Sequence, residues 1–355
     1  MTGTRAPAAP GGARWWRSFG RPPRVMGLDV ARALAIIGMM GAHVAGIDDA
    51  FALFEPRSWA GIVNGYPSLL FALLAGFSIA LMTQCGQVSD AEIASARLRM
   101  LGRGVTIFVI GLLLEAFDTA IAIVLTLYGV LYLVLIPVLR WRTLSLALCA
   151  AVLGLLGPVW LAVLAGLPED AMGPVWEFLL RGSYPITVWL FFALIGMALG
   201  RLPLHRSVTA WGFVLTGTVL LVAAHLVALV PVSDRLLQAA VFDISPHSGA
   251  MVELLAALGL GLLVVGVCLG ASHPLRWPLL PVAALGSMPL TAYTAHVVSY
   301  FVMAGPDSRL AEPQILLWST VILLVACTLW SALIGRGPLE TLAARAGDAA
   351  AMLRP

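Results

Sequence analysis

Charge is scarce in this sequence. Only 11% of its 355 residues are charged, less than half of the roughly 25% that soluble globular proteins carry. Lysine is absent, so all 21 basic residues are arginine, and 60% of the chain is hydrophobic. This composition argues against an ordinary soluble domain and gives no reason to expect a nucleic-acid partner. It predicts an all-α, polytopic integral membrane protein that lies in a lipid bilayer.

Cysteine is also rare, and the familiar cofactor signatures are missing. The four cysteines occur singly, without the spacing of a zinc or redox site, so we predict neither a metal site nor a disulfide framework. They are Cys85, Cys149, Cys268 and Cys327. The sequence contains no P-loop, no GxGxxG after a strand, no GxSxG and no HExxH. These absences argue against ATP-driven transport, dinucleotide chemistry, α/β-hydrolase catalysis and zinc proteolysis.

Apolar runs recur along the whole chain. A helix needs about 20 predominantly apolar residues to cross a bilayer, and hydropathy together with helix-breaking residues predicts ten such spans. They cover residues 28–47, 67–84, 103–118, 121–139, 143–165, 185–200, 208–230, 249–271, 278–303 and 314–334.

Arginine positions predict how these spans are oriented. If the N-terminus is cytoplasmic, only Arg57, Arg181, Arg235 and Arg309 fall in outer loops, and every inner loop is basic. Because cytoplasmic loops carry the excess of basic residues in membrane proteins, both termini are predicted to be cytoplasmic. We expect a multi-pass protein of a bacterial plasma membrane.

Three segments are expected on this basis. Residues 1–26 have arginines but no apolar run that ends in a cleavage site, so they are predicted to be a retained, disordered cytoplasmic tail. Residues 27–335 form the ten-helix transmembrane domain. Residues 336–355 form a cytoplasmic tail with a short interfacial helix, because Pro338 suits a first helical position and Glu340 a first turn.

Three polar residues interrupt the first predicted span, in GLDVARALAIIGMMGAHV. Arg32 and His43 are eleven residues apart, about 20° beyond three full turns, so they share one helix face about 16 Å apart along the axis. Asp29 precedes Arg32 by three residues and can pair with it. Polar groups that are costly in lipid usually face the bundle interior or a wet cavity. We therefore predict a functional polar stripe, with interfacial anchoring as the alternative for Asp29 and Arg32.

The pattern Arg32-x10-His43 within LDVARALAIIG resembles the first-span signature of membrane acyltransferases of the O-antigen acetylase type. Other stretches resemble a sister group, the heparan-α-glucosaminide N-acetyltransferase-like proteins and their bacterial relatives. These stretches are RSWAG followed by PSLLFALLAGFSIALM, then VLTLYGVLYLV, GSMPLTAYTAHVV and the closing GRGPLETL. The resemblance runs from about Leu28 to Leu342 and marks the membrane domain as acyltransferase-like.

The resemblance implies an activity. Such enzymes move an acyl group, commonly acetyl, from cytoplasmic acyl-CoA to an extracytoplasmic sugar, glycolipid or glycan, so acetyl-CoA or another acyl-CoA is the expected co-substrate. The heparan-type proteins are thought to use a histidine in the first outer loop, beside the segment that is Ser58-Trp59-Ala60-Gly61 here, yet this loop holds no histidine. His43 is the obvious substitute, as a base or an acyl relay.

Coenzyme A carries several phosphate charges, which arginine binds well. Arginines at the inner ends of spans are therefore candidates, although topology alone also places arginines there. The predicted cofactor-binding residues are Asp29, Arg32, Arg97, Arg99, Arg103 and Arg140.

Polar side chains near the outer ends of later spans are candidates for the acceptor site. His296 has Tyr293 one turn before it on the same helix face, and His247 precedes the eighth span, which contains Glu253. We predict catalytic roles for His296 and Glu253 beside His43. The predicted substrate-binding residues are Trp59, Tyr66, His247 and Tyr293, of which Trp59 and Tyr66 could equally belong to an interfacial aromatic belt.

Two other functions stay open at this stage. A secondary transporter or lipid-moving protein could use the same polar stripe as its path, although no inverted repeat with paired broken helices is visible. A membrane scaffold that has lost catalysis is the third hypothesis. The sequence also leaves open whether the chain forms a homo-oligomer.

Overall fold

The computed structural model describes residues 15, 18–21, 24–47, 49–83, 89–168, 173–182, 184–306 and 308–352. Within these ranges every regular element is helical, so the all-α class is confirmed. The helices are α1 Met26–Val44, α2 Tyr66–Met82, α3 Asp90–Glu115, α4 Val124–Val134, α5 Thr143–Ala165, α6 Pro174–Leu180, α7 Ile186–Leu199, α8 Ser207–Ala228, α9 Met251–Ala271, α10 Arg276–Gly286, α11 Pro289–Ala304, α12 Pro313–Leu333 and α13 Pro338–Met352.

Several of these helices suit a membrane. Five helices are long and apolar enough to cross a bilayer, namely α1, α5, α8, α9 and α12. A sixth is possible if the 3₁₀ helix Pro56–Val63 and α2, which meet at a bend of 51°, count as one span. The polytopic membrane class is thereby confirmed. The total of ten spans stays a prediction, although each predicted span except the ninth corresponds to one helix.

The ninth predicted span, residues 278–303, is broken into two helices. α10 ends at Gly286 and α11 begins at Pro289, because proline cannot continue a helix but suits a first position. The new N-terminus of α11 needs acceptors for its free N–H groups. Glu340 of α13 supplies one: its Oε1 accepts from the backbone N–H groups of Leu290 at 2.7 Å and Thr291 at 3.1 Å.

The C-terminal helix α13 was predicted to be interfacial, and it forms where Pro338 and Glu340 indicated. It packs along α3 and also touches α11. The third predicted span, residues 103–118, is part of a longer helix. α3 is one continuous helix of 26 residues that begins at Asp90, because no proline interrupts residues 90–115, and α13 packs against it near Arg99 and Gly102.

α1 is the central helix of the bundle. It contacts α2, α9, α10, α11 and α12, and most of its residues are buried. Small residues allow the helices around it to approach closely. A side chain at Gly76 of α2 would collide with Ala193 and Gly196 of α7. The polar stripe of the first span therefore lies inside the protein, away from lipid.

The disorder expected for residues 1–26 falls largely on residues outside the described ranges. The described part of this segment is packed. Trp15 is 3% exposed and its indole Nε1 donates a hydrogen bond to Ser331 Oγ of α12 at 2.8 Å. Phe19 is buried beside it, with ring centroids 4.9 Å apart.

Candidate active site

Two histidines from distant parts of the chain meet inside the bundle. His43 Nδ1, near the end of α1, lies 3.0 Å from His296 Nε2 in the middle of α11. Their rings are nearly parallel, with an interplanar angle of 6°. A contact of this length between two imidazole nitrogens is a hydrogen bond in which one ring donates and the other accepts. The structure thus brings together two of the three residues that the sequence predicted to be catalytic.

The two members of this histidine pair differ in exposure. His296 is only 3% exposed, whereas His43 is half-buried and lines a cavity. If His43 Nδ1 donates this bond to His296 Nε2, the Nε2 of His43 is left free to accept a proton and the ring is held in its orientation. Of the two rings, only that of His43 is among the described residues that line this cavity.

The cavity beside His43 has a volume of about 610 Å³ and is called the outer cavity here. Polar side chains from four separate segments line it in addition to His43. They are Asn64, Tyr184, His247, Tyr300 and Arg309. Burial raises the pKa of Tyr184 to about 12, so its hydroxyl stays a neutral donor near pH 7. Several donors and acceptors around an open space suit a polyhydroxyl ligand.

Glu253 organises one wall of the outer cavity. It is 3% exposed at the start of α9. Its carboxylate accepts from the backbone N–H groups of His247 at 2.7 Å and Gly249 at 2.6 Å, and from the Ser248 hydroxyl at 3.1 Å. These bonds hold His247 in a left-handed conformation with φ of 64°, which is unfavourable for a residue with a side chain. The contacts show that Glu253 holds this loop, and its predicted catalytic role stays a prediction.

A second cavity of about 270 Å³, the inner cavity, lies at the other end of the stripe. Helices α1, α2, α3, α4, α11 and α13 surround it. Its polar side chains are Arg32, Ser78, Arg103, Tyr128, Tyr132, Arg336 and Glu340. Three guanidinium groups against one carboxylate give this cavity a positive charge, which favours an anionic ligand.

Arg32 is held in place from two sides. Its guanidinium pairs with Asp29, as the three-residue spacing predicted, and donates to Ser78 Oγ at 3.1 Å. The Asp29 side chain is only 4% exposed, and it also pairs with Arg24 from the segment before α1. One buried carboxylate thus bridges two arginines. The alternative of snorkelling surface anchors does not fit a carboxylate so deeply buried.

The inner and outer cavities share no lining residue among those described. Tyr293 lies between them on α11, one turn from His296 and one turn from Leu290, which lines the inner cavity. Its side chain is 1% exposed, and its hydroxyl accepts from the backbone N–H of Val124 at 3.2 Å. Tyr293 was predicted to bind substrate, and it is not among the described residues that line either cavity.

The family model for heparan-α-glucosaminide N-acetyltransferase, catalytic, matches residues 24–229, more than half of the chain. The chain belongs to this family. The result confirms the resemblance of the sequence to these membrane acyltransferases. No curated protein matches the chain. The matched region of this heparan-α-glucosaminide N-acetyltransferase family contains Asp29, Arg32 and His43, whereas His296 comes from α11 beyond it.

Several arginines predicted to bind a cofactor lie away from the inner cavity of this family member. Arg97 is exposed, Arg99 pairs with Asp348 at 3.2 Å, and Arg140 pairs with Asp90. Only Arg32 and Arg103 of the predicted set line that cavity. The reason is geometric: residues 97 and 103 are six positions apart on α3, so their side chains point in directions about 120° apart around the helix.

Two aromatic residues predicted to bind substrate also lie elsewhere. Trp59 is 52% exposed, and its indole Nε1 donates to the Leu53 carbonyl at 3.1 Å. Tyr66 is 6% exposed and packs edge-on against Phe51. Of the predicted substrate-binding residues, only His247 lines the outer cavity. Sequence reasoning missed several cavity residues that carry no signal of their own, namely Asn64, Ser78, Tyr184, Arg309 and Arg336.

Proposed function

We propose that this protein transfers an acetyl group from cytoplasmic acetyl-CoA, bound at the inner cavity, to an extracytoplasmic sugar amine or hydroxyl held in the outer cavity. The acceptor is a free sugar, a glycolipid or a glycan, and the membrane is a bacterial plasma membrane. One observation carries the proposal: Arg32 and His43 lie on one buried helix and line two different cavities, and His296 of α11 is bonded to His43.

The chemistry at the outer cavity requires a base. His43 accepts the proton of the acceptor N–H or O–H as the nucleophile attacks the acyl carbon. A C–N or C–O bond forms, the C–S bond of the thioester breaks, and the departing thiolate takes up a proton. His296 keeps the accepting nitrogen of His43 unprotonated and correctly oriented, in the way that the third member of a catalytic triad orients its histidine.

The inner cavity has the residues that a donor with phosphate groups needs. Guanidinium groups form paired, charge-assisted hydrogen bonds with phosphate oxygens, and Arg32, Arg103 and Arg336 lie around this cavity. Asp29 and Ser78 hold Arg32 with its guanidinium at the cavity wall. Arg32 lies about 16 Å from His43 along α1, a distance that calls for a long flexible arm between the phosphates and the thioester.

Arg103→Gln is expected to raise the KM for acetyl-CoA about ten-fold, because it removes one charged hydrogen-bond partner from the inner cavity. Arg97→Gln is the matched control, since Arg97 lies six residues away on the same helix and is exposed. The measurement is the rate of CoA release by purified protein over a range of acetyl-CoA concentrations. Equal KM values for the two variants would place the donor elsewhere.

Glu253→Gln is expected to raise the KM for a glucosaminide acceptor about ten-fold with little change in kcat, because the loop that carries His247 loses a charged acceptor. Glu55→Gln provides the control, as Glu55 is an exposed carboxylate in an outer loop. Steady-state rates with varied acceptor separate the two constants. A fall in kcat at unchanged KM would instead assign Glu253 to the chemical step.

The same preparation distinguishes the proposal from transport. Acetyl-CoA should stabilise the wild-type protein against heat and be consumed when the glucosaminide is added. Solute flux in vesicles without any CoA, combined with no response to acetyl-CoA, would favour a secondary transporter that uses the polar stripe as its path.

A further inference from the structure

A third cavity lies where helices α1, α8 and α10 begin and α2 and α9 end. Its volume is about 1040 Å³, and it shares no described lining residue with the inner cavity. We call it the basic cavity because six arginine and histidine side chains line it. They are Arg21, Arg24, His205, Arg206, His273 and Arg276.

Among the described residues, an acidic group balances only part of the positive charge of the basic cavity. No aspartate or glutamate is among the described residues that line it. Arg24 pairs with Asp29, and Arg276 donates to the Phe19 carbonyl at 2.8 Å. The side chains of Arg21 and Arg206 are exposed and make no hydrogen bond or ion pair with the described residues. Two guanidinium groups are therefore available to a ligand.

Helix termini add to this charge. The first residues of α1, α8 and α10 are Met26, Ser207 and Arg276, and all three line the basic cavity. None of these helices has a side-chain cap. Their first N–H groups and the positive ends of their dipoles favour an anion. Arginines and helix N-termini together form the kind of surroundings that phosphate groups bind.

The remaining wall of the basic cavity is apolar and faces outward. Leu81 and Leu202 line it and are 39% and 44% exposed. Trp277, 60% exposed, lies against Arg276, whose guanidinium carbon is 4.6 Å from the indole ring centre. Exposed tryptophan beside arginine is typical of the level at which lipid head groups meet acyl chains. A ligand that combines phosphate with hydrocarbon fits both walls.

We propose that the basic cavity binds the phosphate head group of an anionic phospholipid from the cytoplasmic leaflet. The phosphate lies against Arg21, Arg206 and the start of α8, and the acyl chains lie along the apolar wall at Leu81 and Leu202. Basic pockets between membrane helices on the cytoplasmic side bind anionic lipids for the same electrostatic reason. This site is separate from the proposed transfer reaction and does not depend on it.

The experiment uses the full chain in detergent and native mass spectrometry with added phosphatidylglycerol or phosphatidylcholine. Phosphatidylglycerol should be retained, and phosphatidylcholine, whose head group has no net charge, should be retained much less. The double variant Arg21→Gln/Arg206→Gln should weaken phosphatidylglycerol binding at least about ten-fold. Arg345→Gln is the matched control, because Arg345 is an exposed arginine of α13 that does not line the basic cavity.

Three results would overturn the proposal. They are equal retention of the two lipids, unchanged binding by the double variant, and loss of phosphatidylglycerol when the same concentration of inorganic phosphate is added. The last would mean that the site takes a free anion. A fourth result would also overturn it: displacement of phosphatidylglycerol by an equal concentration of CoA would assign the basic cavity to the nucleotide. Neither lipid binding nor its loss depends on acetyl transfer, so the proposed activity is tested independently.

Discussion

His43→Ala is expected to lower the rate of acetyl transfer on the order of 10²- to 10⁴-fold, the range that a general base contributes. The half-buried imidazole is the member of the histidine pair that reaches the outer cavity, so its loss leaves the acceptor proton without a base. Acetyl-CoA binding should persist, because Arg32 of the inner cavity lies about 16 Å away along α1. The measurement follows CoA release and, in the same samples, thermal stabilisation by acetyl-CoA.

The partner histidine provides the control. His296→Ala should also slow transfer, and the double variant should be little worse than His43→Ala, because residues that act as one unit are not additive. If the rate of the double variant fell by the product of the two single losses, the two histidines would act separately. A His43→Ala protein with a wild-type rate would refute the proposed base outright.

Asp29→Asn is expected to cost about 3 kcal/mol of stability. The Asp29 carboxylate is buried and bridges Arg24 and Arg32, and removing one partner of a buried ion pair leaves charge without compensation. The KM for acetyl-CoA should rise as well, since Arg32 loses the group that orients it. Unfolding in mixed micelles with increasing SDS measures the first effect, and CoA release measures the second.

Asp348→Asn is the matched control for this prediction. Asp348 also pairs with an arginine, Arg99, but both side chains are more than half exposed. Exposed ion pairs contribute about 0–1 kcal/mol, so the unfolding midpoint should hardly move. Similar losses of unfolding stability in the two variants would show that the burial of Asp29 does not increase the contribution of its ion pairs.

The sequence predicted the polar stripe of α1 correctly because helix geometry is local. Two residues that are eleven positions apart share one face of any α-helix, as Arg32 and His43 do. Asp29 can reach Arg32 because residues three positions apart are neighbours on a helix surface. His296 was predicted as a site residue, but its bond to His43 was not, since 253 residues separate them. Only the packing of α11 against α1 brings these rings together.

Arg97 and Arg103 show what composition cannot decide. Both are arginines at the start of a span, and topology explains both equally well. Which one faces a ligand depends on where α4 and α13 pack around α3. Glu253 is a similar case: a carboxylate at the beginning of a helix looks the same in sequence whether it serves chemistry or holds a loop. Its three hydrogen bonds show that it holds the loop, which no sequence pattern indicated.

The buried position of Tyr293 bears on proton leakage across the membrane. In the proposed orientation, the outer and inner cavities open toward opposite sides of the membrane, and a continuous water path between them would carry protons along the histidines and arginines. The side chain of Tyr293 is buried on α11 between His296 and the inner cavity, and its hydroxyl is bonded to the Val124 backbone. The thioester arm of the donor must pass the same place in the proposed reaction. We therefore expect Tyr293 to move aside for the donor and to exclude water when no donor is bound, which limits proton leakage.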